Sequence, residues 1–369
     1  MIQNVNLFSA ITLGTVTLKN RTVVAPMTRV SATEDGHVTD RIVAYYEEFA
    51  RGGWGLVETE ATYIDAEYSQ CRRGQPGMAT ATHQDAWLRV VEAVHAHGAA
   101  IFMQLQHAGA FAEALRHRSE TVAPSAVAPR SSKPLPMPRE LTAVEIAGIK
   151  ENFCRSAVRA VEAGFDGVEM HGTNGYLIDQ FLTDYTNLRT DQYGGSIANR
   201  IRFACETVGA VRRAVPAGFP VGIRLNPGKT NDPGYEWPGG ETTACEIFRS
   251  IVAAGASFLH LSGLNAPHPA RETLMLPDLA KRVTSVAVIA NGGLDDPARA
   301  EQLLTAGCAD LVSLGRGALA NPDWPRRVAA NASLAAYDPA IIRPVPTLEN
   351  ADAWRKEHAC DASARRLSP

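Results

Sequence analysis

The sequence has no clustered cysteines. Its cysteines are scattered singly along 369 residues, at Cys71, Cys154, Cys205, Cys245, Cys308 and Cys360. This arrangement contains neither the paired spacing of a zinc site nor the run of thiolates that holds an iron–sulfur cluster. We therefore expect reduced, mainly structural cysteines and no bound metal.

The chain also lacks an excess of either charge and a long apolar run. Its formal net charge is -3 at pH 7, and like charges are not grouped into long runs. Nucleic acid and anionic membranes are therefore not expected as partners. No stretch reaches about 18 consecutive apolar residues, and residues 1–8 lack the basic and apolar segments of a secretion signal. We expect a cytoplasmic protein with a small-molecule substrate; the sequence does not decide between a monomer and a homo-oligomer.

A strand–helix repeat is the main pattern that the sequence does contain. Short β-branched or apolar runs, often bounded by glycine or proline, alternate with helical segments, and 45% hydrophobic residues suffice for a large core. The predicted strands are residues 22–28, 55–61, 99–107, 166–171, 220–224, 257–262, 286–291 and 310–315. Eight such units favour an α/β fold of the closed (β/α)8 TIM-barrel type over an open doubly wound sheet.

Three segments are predicted to lie outside this repeat. Residues 11–18 have the pattern of a short N-terminal hairpin. Five prolines within residues 121–140 exclude a helix there and predict a Pro-rich lid after the third strand. The barrel domain is predicted to span residues 1–336, followed by a C-terminal tail of uncertain structure at 337–369 with a short helix near 348–357.

Residues 166–176 form the stretch around which the predicted site is organised. A buried strand ends at His171, and the glycine-rich loop that follows supplies Asn174 and Tyr176. In parallel α/β folds the chemistry lies just beyond the carboxyl ends of the strands. One histidine at a strand end is more often structural, but an imidazole, an amide and a phenol on one loop favour a functional site.

The last two predicted strands are followed by glycines suited to binding a phosphate. Gly293 follows the seventh strand, and Gly315 precedes Arg316 after the eighth. In barrels of this type these two loops commonly bind phosphate through backbone N–H groups, to which an arginine fork can be added. No lysine stands at a strand end, which disfavours a Schiff-base aldolase, and no carboxylate group suggests a metal-dependent barrel. We therefore expect an organic cofactor.

Several motifs together resemble the Old Yellow Enzyme family of FMN-dependent ene-reductases. They lie at residues 20–28, 55–61, 104–109, 164–182, 187–196 and 314–316, and the resemblance runs from about Leu7 to Trp324. The resemblance implies an FMN site formed by Ala25, Pro26, Met27, Thr28, Ala61, Gln104, Arg224, Gly293, Gly315 and Arg316. It also implies a substrate site formed by His171, Asn174 and Tyr176, with Gln106 lining the pocket.

The resemblance implies a reaction as well as a site. NADH or NADPH would reduce FMN, and the reduced flavin would deliver hydride from N5 to the β-carbon of an α,β-unsaturated carbonyl or nitro compound. His171 and Asn174 would bind the substrate oxygen while Tyr176 protonates the α-carbon. Thr28 would bond the flavin C4 carbonyl, and it stands where one branch of the family has cysteine, so the subfamily is open.

Two alternative functions fit the same barrel. An FMN-dependent amine oxidase or demethylase would pass hydride from its substrate to the flavin, in the opposite direction. A flavin-binding sensor without turnover is disfavoured because the carbonyl-binding residues and the acid are all present.

Overall fold

The computed structural model describes residues 6–112, 120–130, 135–229, 231–262 and 276–364, with side chains described as far as residue 358. At its centre eight parallel strands close into a barrel, because β4 pairs with both β3 and β6; β5 is an additional strand beside β6. The strands are β1 (Ile11–Leu13), β2 (Val16–Leu18), β3 (Thr22–Val24), β4 (Leu56–Glu58), β5 (Thr62–Tyr63), β6 (Ala100–Gln106), β7 (Val122–Ala123), β8 (Arg139–Glu140), β9 (Gly167–Gly172), β10 (Val221–Leu225), β11 (Phe258–Ser262), β12 (Ala287–Asn291) and β13 (Leu311–Leu314). The predicted TIM barrel is confirmed.

Helices surround the barrel and pack their apolar faces against the strands. They are α1 (Asp40–Arg51), α2 (Ala81–His95), α3 (Ala143–Glu162), α4 (Leu177–Leu182), α5 (Ile197–Arg200), α6 (Arg202–Ala214), α7 (Gly240–Ala253), α8 (Leu276–Val283), α9 (Pro297–Thr305), α10 (Arg316–Ala320), α11 (Trp324–Ala329) and α12 (Leu348–Ala364). Two 3-10 turns lie at Gly109–Phe111 and Pro339–Ile342. No helix within the described residues is long and apolar enough to cross a membrane.

The N-terminal hairpin closes the bottom of the barrel. β1 and β2 pair antiparallel, and Leu13 and Leu18 are buried in the same apolar cluster as Phe102 and Phe258 from the barrel strands. The turn of the hairpin needs glycine, because Gly14 has φ +56° and a Cβ there would lie 2.0 Å from the carbonyl oxygen of Gly218. The predicted hairpin is confirmed, and its function is to fill one end of the barrel.

The proline-rich segment after β6 is partly described. β7 and β8 pair in parallel, and the Arg189 guanidinium donates to the carbonyl oxygens of Pro124 at 2.9 Å and Leu141 at 2.6 Å. Arg189 belongs to one of the family-like motifs, which therefore anchors this segment to the loop after β9. The remainder of the predicted lid, residues 113–119 and 131–134, lies outside the described residues.

The C-terminal segment packs back onto the barrel. α12 begins at the predicted position and is longer than the predicted helix. Leu348 is buried, and Arg355 forms an ion pair with Glu48 of α1 at 2.9 Å. The guanidinium of the fully buried Arg29 donates to the carbonyl oxygen of Thr347 at 3.2 Å. These contacts join the tail to the loop that follows β3.

Candidate active site

A cavity of about 650 Å³ opens at the carboxyl ends of the barrel strands. This volume is within the range of about 300–1,000 Å³ that is typical of small-molecule sites. Seven of the predicted cofactor residues line the cavity: Ala25, Pro26, Met27, Arg224, Gly293, Gly315 and Arg316. The structure therefore brings together residues from β3, β10, β12 and β13 that are far apart in the sequence.

Arg224 provides a buried cation on one side of this cavity. Its Nη2 donates to Asn291 Oδ1 at 3.0 Å, whereas its Nε has no hydrogen-bond partner among the described residues. Burial lowers the pKa of the guanidinium, and the carboxylate of Glu169 opposes that shift. A buried N–H group without an acceptor destabilises the folded protein. The electron-rich edge of a flavin could accept this hydrogen bond, so the buried arginine fits such a ligand.

The opposite end of the cavity has the features of a phosphate site. Gly292 and Gly293 both have positive φ, at 126° and 59°, a backbone conformation that residues with a side chain rarely adopt. Arg316 is exposed at the start of α10, and a Cβ on Gly317 would lie 2.6 Å from the Asp295 side chain. The glycines thus let the two loops approach closely, and Arg316 adds a fork for an anion.

Three predicted cofactor residues do not line this cavity. Thr28 is exposed and Ala61 is half-buried, while Gln104 is buried inside the barrel. The amide nitrogen of Gln104 donates to Glu169 Oε1 at 2.7 Å, which fixes the orientation of the carboxamide. With the nitrogen bonded to Glu169, the carboxamide oxygen is the atom available to accept a hydrogen bond from a ligand.

His171 lies at the end of β9, next to Arg224, and Asn174 lies in the loop that follows. His171 pairs in register with Arg224 on β10, and its Nδ1 has no hydrogen-bond partner among the described residues. Burial, and secondly the charge of Arg224, lower the pKa of His171 to about 3. The imidazole is therefore neutral at physiological pH. Asn174 has φ 62°, a left-handed conformation that asparagine tolerates better than most residues.

Tyr176 precedes α4 and faces His171, with ring centroids 5.0 Å apart. Its hydroxyl lies 3.8 Å from Cys71 Sγ. Burial, and secondly Cys71, raise the pKa of this phenol, so the group retains its proton. The structure thus brings His171 and Tyr176 together, and Asn174 lies on the short loop between them.

Two side chains of α4 hold the loop that carries Asn174. Asp179 accepts a hydrogen bond from the Gly175 N–H at 2.7 Å and forms a fully buried ion pair with Lys229 at 2.7 Å. Gln180 donates to the carbonyl oxygen of Gly175 at 2.6 Å and accepts from the Ala110 N–H at 3.2 Å. Neither residue was predicted to belong to the site, although both stand in the motif that begins at Gly164.

Gln106 lies on the same side of β6 as Gln104, as the two-residue period of a strand requires. It is buried, and its Oε1 accepts a hydrogen bond from Gln75 Nε2 at 2.9 Å. Gln75 also accepts from the Cys71 N–H at 2.7 Å. Cys71 and Gln75 were missed because they lie in a loop whose sequence has no motif that we could associate with the site.

A group of buried charges inside the barrel was also missed. Glu58, Glu169 and His260 come from three different strands and are each no more than 1% exposed. This group is not visible in the sequence, because its members lie within strands and are separated by about 90 residues or more. Only the closure of the barrel brings them together.

Comparisons with known proteins identify the family and agree with the fold. Residues 6–334 match the family described as NADH:flavin oxidoreductase / NADH oxidase. A structure of morphinone reductase in complex with tetrahydroNAD superposes with a TM-score of 0.80 at 34% identity, covering 90% of this chain and 93% of the other. A probable flavin mononucleotide-dependent alkene reductase of Leishmania infantum is 37% identical, covering 88% of this chain and 90% of that protein.

Some relatives are longer than this chain. The NADH oxidase of Thermoanaerobacter brockii is 36% identical over 87% of this chain, but the match covers 50% of that protein. The chain thus spans about half the length of the first curated relatives that it matches. An Old Yellow Enzyme homologue of Zymomonas mobilis superposes with a TM-score of 0.80 at 31% identity. The chain belongs to the NADH:flavin oxidoreductase / NADH oxidase family, which confirms the resemblance to Old Yellow Enzyme that its motifs predicted.

Proposed function

We propose that this protein is an FMN-dependent NAD(P)H oxidoreductase that reduces the activated C=C bond of α,β-unsaturated carbonyl or nitro compounds. The observation that carries the proposal is the meeting of a neutral His171 and a protonated Tyr176 beside the cavity that Arg224 lines. When bound, FMN supplies the atom that accepts hydride from a nicotinamide and returns it to the substrate. The family match supports FMN as the cofactor.

The cavity residues suit FMN in two respects. Arg224 offers a buried cation and an unsatisfied N–H for the pyrimidine edge of the ring system. Gly293, Gly315 and Arg316 offer backbone N–H groups and a guanidinium for a single phosphate. No Gly-x-Gly-x-x-Gly loop follows a strand.

His171 and Asn174 would bind the oxygen of the substrate. Because the pKa of His171 is lowered to about 3, the imidazole is neutral and donates its hydrogen bond without carrying a positive charge. Two donors at this oxygen favour the enolate-like charge that develops while the β-carbon gains hydride. Arg224, on the neighbouring strand, adds positive potential from below.

Tyr176 would give a proton to the α-carbon. Its raised pKa keeps the phenol protonated until a carbanion-like centre forms beside it. The loop that precedes Tyr176 is held by the Asp179–Lys229 ion pair and by Gln180, so the hydroxyl has a defined position. Preorganised placement of this kind is what makes general-acid catalysis effective.

Substituting Tyr176 with phenylalanine tests this assignment. Tyr176→Phe should leave flavin reduction by the nicotinamide nearly unchanged and slow the reduction of a cyclic enone by about 10²–10⁴-fold, because only the second half-reaction needs a proton on carbon. Stopped-flow absorbance measures the two half-reactions separately. Tyr193→Phe is a matched control, because Tyr193 bonds Glu206 at 2.9 Å, away from the cavity.

Two results would contradict the proposal. Equal slowing of both half-reactions, or of neither, would remove Tyr176 from the acid role. Failure of enones to oxidise NADH or NADPH under nitrogen, combined with flavin reduction by an amine, would instead favour the oxidase or demethylase direction. A screen of enones, nitroalkenes and amines with both nicotinamides would then define the substrate class.

A further inference from the structure

Three buried ionisable side chains meet inside the barrel below the cavity. His260 Nδ1 on β11 lies 2.8 Å from Glu169 Oε2 on β9 and 3.1 Å from Glu58 Oε2 on β4. All three side chains have no exposed surface. The charge-bearing atoms of this trio are therefore shielded from solvent and interact strongly with one another.

The hydrogen bonds of His260 identify it as the positive member of the trio. Its Nε2 lies 2.8 Å from Ser313 Oγ, and Ser313 Oγ in turn donates to the carbonyl oxygen of Ala290 at 3.4 Å. Burial opposes a charge on this ring, but Glu169 and Glu58 outweigh burial and raise the pKa of His260. Both ring nitrogens thus carry hydrogens, which leaves no lone pair to bind a metal ion.

Glu58 is the member without a hydrogen bond. The single hydrogen on His260 Nδ1 points to the nearer Glu169, and neither Glu58 oxygen has a hydrogen-bond partner among the described residues. Burial, and secondly the charge of Glu169, raise the pKa of Glu58 to about 7, while the pKa of Glu169 is lowered. Glu58 is therefore the member of the trio that gains or loses a proton near neutral pH.

The trio is directly connected to the residues that line the cavity. Ser313 and Arg224 both line the cavity; Ser313 bonds His260, and the charge of Arg224 acts on both carboxylates. The charged groups that face Glu58 are thus His260, Glu169 and Arg224, from β11, β9 and β10. A new negative charge beside Arg224 would offset part of the positive potential that keeps Glu58 ionised.

We propose that Glu58 takes up one proton from solvent when the cofactor bound in the cavity is reduced by two electrons. Reduction brings two electrons and one proton to the flavin and leaves one negative charge near Arg224. Protonation of the Glu58 carboxylate cancels that charge, so that two electrons and two protons enter the protein in total. The inference rests on the proposed function in one respect, which is that FMN occupies the cavity.

The midpoint potential of the flavin-loaded protein, measured between pH 6 and 8 with dithionite and redox dyes, tests this proposal. Each proton taken up with two electrons changes the potential by about 30 mV per pH unit, because one pH unit is a tenfold change in proton concentration. Because Glu58 is ionised in the oxidised protein mainly above its pKa of about 7, the wild-type slope should exceed the slope of Glu58→Gln by up to about 30 mV per pH unit above pH 7, and the two slopes should converge below pH 7. Equal slopes in the two proteins would overturn the proposal.

Glu60→Gln is the matched control. Glu60 is also fully buried, and burial raises its pKa to about 7, but its carboxylate accepts the N–H groups of Arg29 and Val30 at 2.8 and 3.0 Å. The pKa of Glu60 is set by burial, by these two hydrogen bonds and by the charge of Arg29, and not by the trio or by Arg224. The Glu60→Gln variant should therefore keep the wild-type slope. Loss of the extra slope in Glu60→Gln would assign the proton to a different carboxyl group.

An infrared measurement on the wild type does not depend on how well the variants fold. The reduced-minus-oxidised difference spectrum should gain one band of a protonated carboxylic acid, and that band should be absent from Glu58→Gln and present in Glu60→Gln. A wild-type spectrum without this band would overturn the proposal. Dithionite reduces the flavin without a nicotinamide, so the measurement does not require enzymatic turnover. Absence of bound flavin would contradict the proposed function. Bound flavin that is reduced without uptake of the extra proton would contradict this inference alone.

Discussion

The lower and upper layers of the barrel interior differ completely in chemistry, although they are formed by the same strands. The lower layer is apolar and includes Leu56, Phe102, Phe258, Ile289 and Leu311. Two residues further along the same strands, in the same order, stand Glu58, Gln104, His260, Asn291 and Ser313. A shift of about 6–7 Å along each strand therefore separates a hydrophobic core from a polar site.

This difference shows how one barrel separates stability from chemistry. Residues two apart on a strand point to the same side, so each of these five strands contributes one apolar and one polar side chain to the interior. Burying charges is costly unless they are paired, and the upper layer pairs Glu169 with His260 and Gln104. The lower layer, sealed by the hairpin of β1 and β2, contributes hydrophobic burial with no such cost.

The largest expected effect concerns the lower layer. Phe258 is fully buried and packs against Phe102 with ring centroids 5.5 Å apart, so Phe258→Ala should lower the free energy of unfolding by about 3–5 kcal/mol. Urea denaturation measures this change. Phe8→Ala is the control, because Phe8 is 42% exposed. If the folded fraction of Phe258→Ala lost its flavin while its stability stayed unchanged, the separation of the two layers would be wrong.

The next largest effect concerns the phosphate end of the cavity. Arg316→Ala should weaken FMN binding by about 10–100-fold, because it removes a charge-assisted hydrogen bond of about 1.5–3 kcal/mol. Riboflavin, which lacks the phosphate, should bind the variant and the wild type equally; quenching of flavin fluorescence measures both affinities. Equal losses for FMN and riboflavin would place Arg316 away from the phosphate.

Much of the fold was predictable because local signals agreed with the final structure. Thr142 and Glu145 have the spacing of a capping box, which marks the start of α3, where both reciprocal hydrogen bonds are present. Asp296 followed by Pro297 is typical of a helix start, and α9 begins there. Each predicted strand overlaps one barrel strand because short β-branched runs bounded by glycine are recognisable without tertiary information.

The rest of the site was not predictable because it depends on contacts between distant strands. His260 reads as an isolated histidine within an apolar strand, and its meeting with Glu58 and Glu169 requires the barrel to close. Gln75 and Cys71 lie in a loop whose position is fixed by hydrogen bonds to β6 and to residues after β4. Such contacts have no local sequence pattern.

A smaller effect is expected from pH, and it concerns His171 in the upper layer. Burial and Arg224 lower its pKa to about 3, so the folded protein binds this proton less readily than the unfolded chain does. The stability that the neutral ring contributes is present above pH 6.5 and is lost as pH falls; between pH 6.5 and 5.5 the loss should be about 1 kcal/mol. Urea denaturation of the flavin-free protein should show this loss in the wild type and lack it in His171→Asn. The same pH dependence in both proteins would mean that the imidazole is not held neutral.

The smallest effect concerns Gln106, which stands above the polar layer on β6. Gln75 Nε2 donates to the carboxamide oxygen of Gln106 at 2.9 Å. Gln106 also lies beside the Tyr176 hydroxyl; burial and Cys71 raise the pKa of that phenol, whereas Gln106 lowers it. A larger side chain here should crowd the substrate and leave the cavity below unchanged. Gln106→Trp should therefore shift the relative rates or the enantiomer ratio for substituted cyclohexenones by roughly tenfold, while flavin reduction by the nicotinamide stays within about twofold. Gln302→Trp, on the exposed face of α9, is the control. Identical rates and enantiomer ratios across the substituent series in Gln106→Trp and the wild type would place Gln106 outside the substrate pocket.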